Sequence, residues 1–236
     1  MAQAERLVPV RSRRMAESVI EQLVNLIRQG NLHPGDRLPS ERELAQKLRV
    51  SRVVVREALM YMQQAGIVHT RHGSGTYVSG GFGDDRTACA DSAAQDRLTW
   101  LFEFRLGVEG EAAALAARRA SGTELKQLAQ ALERLQSEVA GGRLGVEADF
   151  DFHVAIARAS GNPYLVSSLT NVTDLLMRSV TVSRVRSLAV PGRPETVLAE
   201  HQAIYNGIAA GNGEAARHAM REHLQAALGR LLAQGE

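Results

Sequence analysis

Cysteine, aromatic residues and long apolar runs are all scarce in this chain. Its one cysteine, Cys89, excludes an internal disulfide and a cysteine-based zinc site. Aromatic residues make up 4% of the chain, which argues against stacking platforms for single-stranded nucleic acid. No apolar run reaches the roughly 18 residues of a membrane helix, and no apolar signal segment follows the first arginines. We therefore expect a cytoplasmic protein that makes no membrane contact.

Positive charge is concentrated in the first third of the chain. Residues 1–80 hold 12 of the 28 Lys and Arg residues but only 7 of the 26 Asp and Glu residues. Residues 81–236 are mildly acidic, and the whole chain of 236 residues is long enough for two modest domains. Chance clustering of charged residues is one explanation of this asymmetry. The other is a nucleic-acid-binding module joined to a second domain, for which a basic segment beside a mildly acidic one is typical.

Residues 40–79 have the pattern of two short helices followed by a β-hairpin. Ser40 and Glu43 form a capping box at the start of the first helix, and Ser51 caps the second. Alternating apolar and polar residues on both sides of a glycine-bearing turn predict the hairpin. A further helix is predicted over about 18–29. The sequence therefore predicts a winged helix-turn-helix, which reads duplex DNA.

The start of the second helix and the tip of the hairpin carry the candidate DNA contacts. A recognition helix presents its first residues to the major groove, where arginine can bond guanine and valine methyls can touch thymine. The glycines of the wing allow close backbone approach to the DNA, and its basic side chains suit the minor groove or phosphates. Each arginine alone would indicate only a solvated charge, but the ordered series of caps, arginines and wing favours DNA binding. The predicted DNA-binding residues are Arg42, Ser51, Arg52, Val53, Val54, Arg56, Arg71, His72 and Gly73.

Residues 12–80 resemble the GntR family of bacterial transcription regulators. The resemblance implies that Arg42, Arg52 and Arg56 contact the operator, with His72 and Gly73 at the wing. Val53 stands where the family usually has threonine or a similar residue, so this position lacks the hydroxyl. The motifs that carry the resemblance are PGDRLPSERELA at 34–45, VSRVVVREAL at 50–59 and RHGSGTYV at 71–78.

After a small, polar, glycine-rich linker at 81–94, the sequence predicts only helices. We expect an antiparallel all-α bundle over 95–233, following an N-terminal arm at 1–11 and the DNA-binding domain at 12–80. The predicted fold class is mainly α, with a β-hairpin wing in the first domain. The helical stretches, which end at glycine- and proline-bearing breaks, are about 95–120, 123–140, 146–160, 163–187, 194–210 and 213–233.

Several ionisable side chains of the predicted bundle fall on apolar helix stripes. Asp149 and His153 lie one helical turn apart, so both could bind one ion. His201 and His223 face the core of two further helices. Any one alone would indicate a core histidine, but the four together predict a metal site. Arg105 also faces the core, either in a structural salt bridge or as a fork for a ligand carboxylate.

Residues 95–230 resemble the FadR-type subgroup of the GntR family, whose C-terminal helical domain is called FCD. The resemblance implies that Asp149, His153, His201 and His223 are metal ligands and that Arg105 contacts an effector. Members with this ligand set resemble sensors of small hydroxy, keto or sugar acids rather than of acyl-CoA. The matching motifs are FEFR at 102–105, EGEAA at 109–113, DFDFH at 149–153, SGNP at 160–163, EHQAI at 200–204 and AMREHL at 219–224.

These patterns together predict a homodimeric repressor that binds a palindromic operator under the control of a small carboxylate near a metal ion. Zn²⁺ is the expected ion, with Ni²⁺ and Mn²⁺ as alternatives. One alternative function is a DNA-binding regulator with a purely structural metal and no effector. Another is a metal-dependent hydrolase fused to a DNA-binding head. We do not expect an enzyme, because catalytic zinc commonly keeps an open position and no inward-facing general base is evident.

Overall fold

The computed structural model describes residues 10–71, 73–80 and 92–232. We call the described residues up to 80 the head and those from 92 the bundle. The head contains α1 (Val10–Arg28), α2 (Glu41–Leu48), α3 (Arg52–Gln64), β1 (Val68–Arg71) and β2 (Gly75–Val78). The bundle contains α4 (Ser92–Arg119), α5 (Gly122–Ala140), α6 (Val146–Ala159), α7 (Pro163–Asn171), α8 (Thr173–Ala189), α9 (Arg193–Ala209) and α10 (Gly213–Leu232). The predicted mainly α fold with a hairpin wing is confirmed.

Side-chain caps define the two short helices of the head. The Ser40 hydroxyl accepts the Glu43 N–H at 3.3 Å, and the Glu43 carboxylate accepts the Ser40 N–H at 2.8 Å. Arg49 ends α2 in the left-handed conformation, with φ of 54°. Ser51 then caps α3 by accepting the Val54 N–H at 3.3 Å. These bonds satisfy backbone groups that the helix ends leave open, and they fix the tight turn between α2 and α3.

The wing is a short antiparallel hairpin. Its ladder runs from the pair Val68–Val78 to the pair Arg71–Gly75. The turn is short, because Arg71 and Gly75 themselves belong to the strands. Gly75 has φ of 130°, and a Cβ there would lie 2.7 Å from Nε of Arg37. Because the Arg37 side chain is flexible and can move aside, it is the positive φ that favours glycine at this position.

The predicted helix at 163–187 is wrong, because the structure divides it into α7 and α8. Val172 leaves helical geometry, with φ of −109° and ψ of 17°. The Thr173 hydroxyl donates to the Thr170 carbonyl at 2.7 Å, which replaces a helical backbone bond at the junction. No glycine or proline marks this break, and the sequence pattern therefore missed it. None of the described helices combines the length and apolar character that a membrane crossing needs.

A continuous apolar core joins the head to the bundle. Buried residues of α1 and α3 share one cluster with Leu144 and Val146, which lie just before and at the start of α6, and with Met177, Val185 and Leu188 of α8. A second cluster fills the bundle between α4, α6, α9 and α10. Helix α8 is therefore covered by the head on one side and by the bundle on the other. This placement matters for the site, since α8 also lines the central cavity of the bundle.

Candidate functional site

The first turn of α3 presents its side chains unequally to solvent. Val53 is 70% exposed, and Arg52 and Arg56 are also exposed. Val54 is only 3% exposed and packs in the apolar core of the head. The prediction that Val54 contacts DNA is therefore corrected, because the helix turns its methyl groups away from the surface that carries the arginines. Val53 is the valine that remains available to a thymine methyl.

Glu41 of α2 holds the two arginines of α3 at the surface. Its Oε2 lies 3.2 Å from Nη2 of Arg56 and 3.6 Å from Nη2 of Arg52. The hydrogen bond from Arg56, with the charge of Arg52 adding to it, lowers the pKa of Glu41 below its ordinary value. Exposed ion pairs of this kind contribute little stability, so DNA can exchange for Glu41 at low cost. Arg42 is exposed on the first turn of α2.

The wing and the cap of α3 supply the remaining predicted contacts. Arg71 is exposed, and its guanidinium lies 5.2 Å from the centre of the Tyr77 ring. Gly73 is exposed at the turn with φ of 73°, a conformation that suits glycine. Ser51 is exposed while its hydroxyl caps α3. His72 lies outside the described residues.

Three buried histidines from three helices converge in the centre of the bundle. One ring nitrogen from each of His153 on α6, His201 on α9 and His223 on α10 lies within 4.8 Å of the others. The Nε2 atoms of His153 and His201 are buried without a hydrogen-bond partner. An unsatisfied buried polar atom costs about 1–3 kcal/mol. A divalent ion between the rings would satisfy these atoms, so the residues present fit a metal.

Each of these histidines is oriented by a partner at its other nitrogen, Nδ1. A partner of this kind fixes the ring and directs Nε2 towards the cluster, as in zinc sites where a carboxylate or carbonyl supports the ligand. Neither glutamate was predicted to take part. The three pairs are His153 with the Glu109 carboxylate at 2.5 Å, His223 with the Glu200 carboxylate at 2.8 Å and His201 with the Val197 carbonyl at 2.7 Å.

Asp149 flanks the three histidines as a fourth possible ligand. Its Oδ1 lies 3.3 Å from Nε2 of His201, and its Oδ2 lies 3.8 Å from Nε2 of His153. Burial alone would raise the pKa of Asp149, but His201, His153 and Arg184 together hold it below its ordinary value. The carboxylate is therefore ionised, as a metal ligand must be. The four residues that the sequence predicted to act together do lie together.

The charge state of His223 also suits metal binding. Burial, followed by the charge of His201, lowers the pKa of His223 to about 3. A neutral imidazole is the form that binds a metal ion. His218 on α10 is exposed and lies 3.2 Å from Glu222, away from this cluster.

Arg105 is paired with Glu109, a carboxylate one helical turn away on α4. Its Nε donates to Oε1 of Glu109 at 2.6 Å, and both side chains are buried. Burial raises the pKa of Glu109, but Arg105 and His153 outweigh it and bring the value to about 2. Arg105 also borders the cavity beside the histidines. The structural ion pair is therefore present, and contact with a ligand would come in addition to it.

The cavity at the centre of the bundle is small, about 20 Å³. That volume has room for an ion or a water molecule but not for an organic acid. Arg184 and Arg230 line it together with Arg105, and neither was predicted. The sequence of α8 does not indicate that Arg184 faces the cavity, because this helix is buried on several sides and shows no single apolar stripe.

Comparisons with known proteins match both parts of the chain. Residues 15–78 match the model of "Bacterial regulatory proteins, gntR family", and residues 100–226 match the FCD domain. Over 204 residues the chain is 36% identical to the HTH-type transcriptional regulator LutR of Bacillus subtilis, covering 84% of this chain and 93% of LutR. It is also 34% identical over 223 residues to the Escherichia coli protein named "Putative L-lactate dehydrogenase operon regulatory protein", covering 90% and 84% respectively.

A solved structure gives a similar result for the fold alone. It is titled as Lar, which controls the expression of the Listeria monocytogenes agr system, and it is 22% identical with a TM-score of 0.50. The alignment covers 92% of this chain and 95% of that one. The matched families and relatives are transcription regulators, not enzymes.

Proposed function

Because the chain belongs to the gntR family of bacterial regulatory proteins and carries an FCD domain, we propose that it is a cytoplasmic repressor whose hold on DNA depends on a small carboxylate bound beside a divalent ion. One observation carries this proposal. Three buried histidines converge inside the domain that is joined to the DNA-reading head, and the Nε2 atoms of two of them make no hydrogen bond and face the Asp149 carboxylate.

His153, His201, His223 and Asp149 would hold the ion. Nitrogen donors with one carboxylate suit Zn²⁺, with Ni²⁺ and Mn²⁺ as the alternatives. When bound, the ion would supply positive charge and a coordination position for a carboxylate oxygen. The protein contributes the fixed ring orientations, set by its own carboxylates and one carbonyl, and a water-poor surrounding that strengthens the attraction of an anion.

In the head, Arg52 and Arg56 would read the major groove while Val53 contacts a thymine methyl. Arg71 and the neighbouring turn would lie against the minor groove or the phosphates. A homodimer would place two such heads on the halves of a palindromic operator. This arrangement is supported by the exposure of these side chains and by the weak surface pairing of both arginines with Glu41.

L-lactate is the first acid to test, because the name of the Escherichia coli relative refers to L-lactate dehydrogenase. An operator would be selected from random DNA by the zinc-loaded protein, and binding would be measured by fluorescence anisotropy at fixed salt. We expect L-lactate or another small hydroxy or keto acid to weaken operator binding. The His201→Ala variant should not respond, whereas His218→Ala should respond normally, since His218 lies outside the cluster.

The second candidate function keeps DNA binding but gives the ion a purely structural role. The cavity of about 20 Å³ favours it, because an organic acid does not fit without movement of the walls. In that case, metal removal lowers the melting temperature, and no acid in the panel changes operator affinity. An acid that tightens operator binding would instead show that the sign of control assigned here is wrong.

A further inference from the structure

Arg186 of α8 lies where the ends of two other helices meet, one in the head and one in the bundle. Its Nη1 donates to the carbonyls of Arg230 and Leu231 in the last turn of α10, each at 2.7 Å. Its Nη2 donates to the carbonyl of Gln64, the last residue of α3, at 3.3 Å. The guanidinium therefore places positive charge at two helix C-termini, where the helix dipoles favour it.

The contact with Gln64 completes the end of the recognition helix. The last carbonyls of a helix have no partner within that helix and need donors from elsewhere. At the end of α3, the carbonyls of residues 61–63 accept the backbone N–H groups of residues 65–67, each at 2.9 Å. Arg186 provides a donor for the next carbonyl, that of Gln64. The bundle thus supplies one part of the cap of the helix that reads DNA.

The bundle holds this guanidinium more firmly than the head does. Two bonds of 2.7 Å join it to α10, whereas one bond of 3.3 Å joins it to α3. The usual N–H···O distance is about 2.7–3.2 Å, so the contact with α3 is the weaker one. The end of α10 is itself held, because the Arg230 side chain donates to Glu200 on α9 at 2.7 and 2.9 Å. Arg186 therefore belongs to the bundle, and the head docks against it.

Two other polar contacts join the bundle to α1. Nε of Arg14 donates to Oε2 of Glu147 at 2.9 Å, and the Leu144 N–H donates to Oε1 of Glu21 at 2.7 Å. Arg14 and Glu21 are separated by about 10 Å along the helix. These two contacts define an axis along α1 about which the head could still rotate. The contact of Arg186 is made with a different helix, α3, and it therefore opposes this rotation.

The apolar core between head and bundle does not fix the rotation by itself. Helices α1, α3 and α8 share one buried cluster, but apolar attraction has no preferred direction. A groove of about 370 Å³ also lies between head and bundle, lined by Ile27 of α1, Ile67 before β1 and Ala189 at the end of α8. Among the described residues, this junction is therefore not close-packed throughout. A directional hydrogen bond between α8 and α3 can then decide the orientation of the head.

We propose that Arg186 is a positioning residue that sets the orientation of the recognition helix on the bundle, and thereby the spacing of operator half-sites that the protein accepts. In a homodimer, each α3 enters the major groove of one half-site, and the distance and rotation between the two helices must match the DNA. Rotation of the heads would relax that match without changing how one head reads its own half-site. This inference rests on the homodimer and the palindromic operator of the proposed function.

The test measures binding to operators that differ only in the spacing of their half-sites. The selected operator is shortened or lengthened at its centre by one and two base pairs, and each base pair rotates one half-site by about 35° relative to the other. A duplex with a single half-site measures the reading of DNA by one head. Affinities are obtained by fluorescence anisotropy at fixed salt, with the full-length protein and without added acid.

Wild-type protein should bind the best spacing at least about tenfold more tightly than spacings changed by two base pairs. Arg186→Met should reduce that preference to below about threefold, while its affinity for the single half-site stays within about twofold of wild type. Arg186→Lys keeps the charge but replaces the guanidinium fork by one ammonium, so it should retain part of the preference. Arg221→Met is the matched control, because this exposed arginine of α10 lies beside Gly110 of α4, and it should leave the preference unchanged.

The failure of this inference and the failure of the proposed function give different results. If Arg186→Met keeps the wild-type preference, Arg186 does not set the orientation, and the proposed function stands. If Arg186→Met loses affinity equally for every duplex, including the single half-site, Arg186 supports the fold of the head and the inference is wrong. If wild-type protein prefers no spacing, the homodimer on a palindromic operator fails, and the inference fails with it. Circular dichroism verifies the fold of each variant, and Arg186→Lys decides the question if Arg186→Met does not fold.

Discussion

Replacing Arg105 by methionine should destabilise the bundle, because Glu109 would stay ionised and buried without its main partner. The two side chains lie 2.6 Å apart and are 5% and 2% exposed. Removing one member of a buried ion pair typically costs about 3–5 kcal/mol. Methionine keeps much of the packing against the Phe102 ring, which lies 5.1 Å from the guanidinium carbon. Most of the cost should therefore be electrostatic.

The pH dependence of this cost follows from the pKa of Glu109. In the wild type that pKa is lowered from 4.5 to about 2, so the pair contributes stability above 4.5 and loses it as the pH falls through 2. Without Arg105, burial pushes the pKa of Glu109 upward and only His153 opposes it. The destabilisation should therefore be largest at neutral pH and should shrink on acidification, as Glu109 takes up a proton.

Urea unfolding of the metal-free protein, at about pH 7.5 and about pH 5, measures the effect without interference from a bound ion. Glu109→Gln and the double variant complete a thermodynamic cycle. The double variant should be more stable than the sum of the single effects predicts, with a coupling energy of about 2 kcal/mol. A cost below about 1 kcal/mol for Arg105→Met, with additive single effects, would refute the view that this pair holds the site together.

Three further predictions concern other parts of the molecule. Arg52→Ala should weaken operator binding by about 1–3 kcal/mol and relax the base preference at one position of the half-site, as measured by fluorescence anisotropy with variant operators. Equal weakening for all operator sequences would mean that Arg52 contacts only phosphate. Burial, with the charge of Glu147 nearby, raises the pKa of Glu17 from 4.5 to about 7. The contribution of Glu17 to stability is therefore present below pH 4.5 and is lost as the pH rises through 7. Glu17→Gln should therefore raise the free energy of unfolding by up to about 3 kcal/mol, measured by urea unfolding at alkaline pH. An unchanged free energy of unfolding would contradict burial as the cause. Gly207→Ala should lower the melting temperature, at a cost of about 1–3 kcal/mol, because its Cβ would lie 2.8 Å from the backbone nitrogen of Ala216; an unchanged value would show that α9 and α10 can separate freely.

The sequence predicted those features that depend on the spacing of residues close together in the chain. Ser40 and Glu43 stand at the spacing of a capping box, a local signature of a helix start, and the structure contains both of its bonds. His153, His201 and His223 were expected to face inward because each falls on an apolar stripe of its own helix, and all three are buried. Local periodicity therefore located the candidate site.

Features that depend on neighbours distant in the chain were not predictable in this way. Glu109 orients His153 across 44 residues, and nothing local to either residue indicates the pair. Arg184 faces the cavity from a helix that is covered on opposite sides, so its sequence lacks the amphipathic pattern from which direction is inferred. Val54 was misassigned for a related reason, since a recognition helix has an inner face whose extent depends on how the head packs.

The most direct test of the metal centre is the zinc content of the protein after incubation with Zn²⁺ and removal of unbound ion, measured by inductively coupled plasma mass spectrometry. The wild type and the His218→Ala control should each retain about one zinc per chain, and His201→Ala should retain much less. Absence of zinc from the wild type, or full retention by His201→Ala, would contradict the claim that the three buried histidines form the metal centre of this regulator.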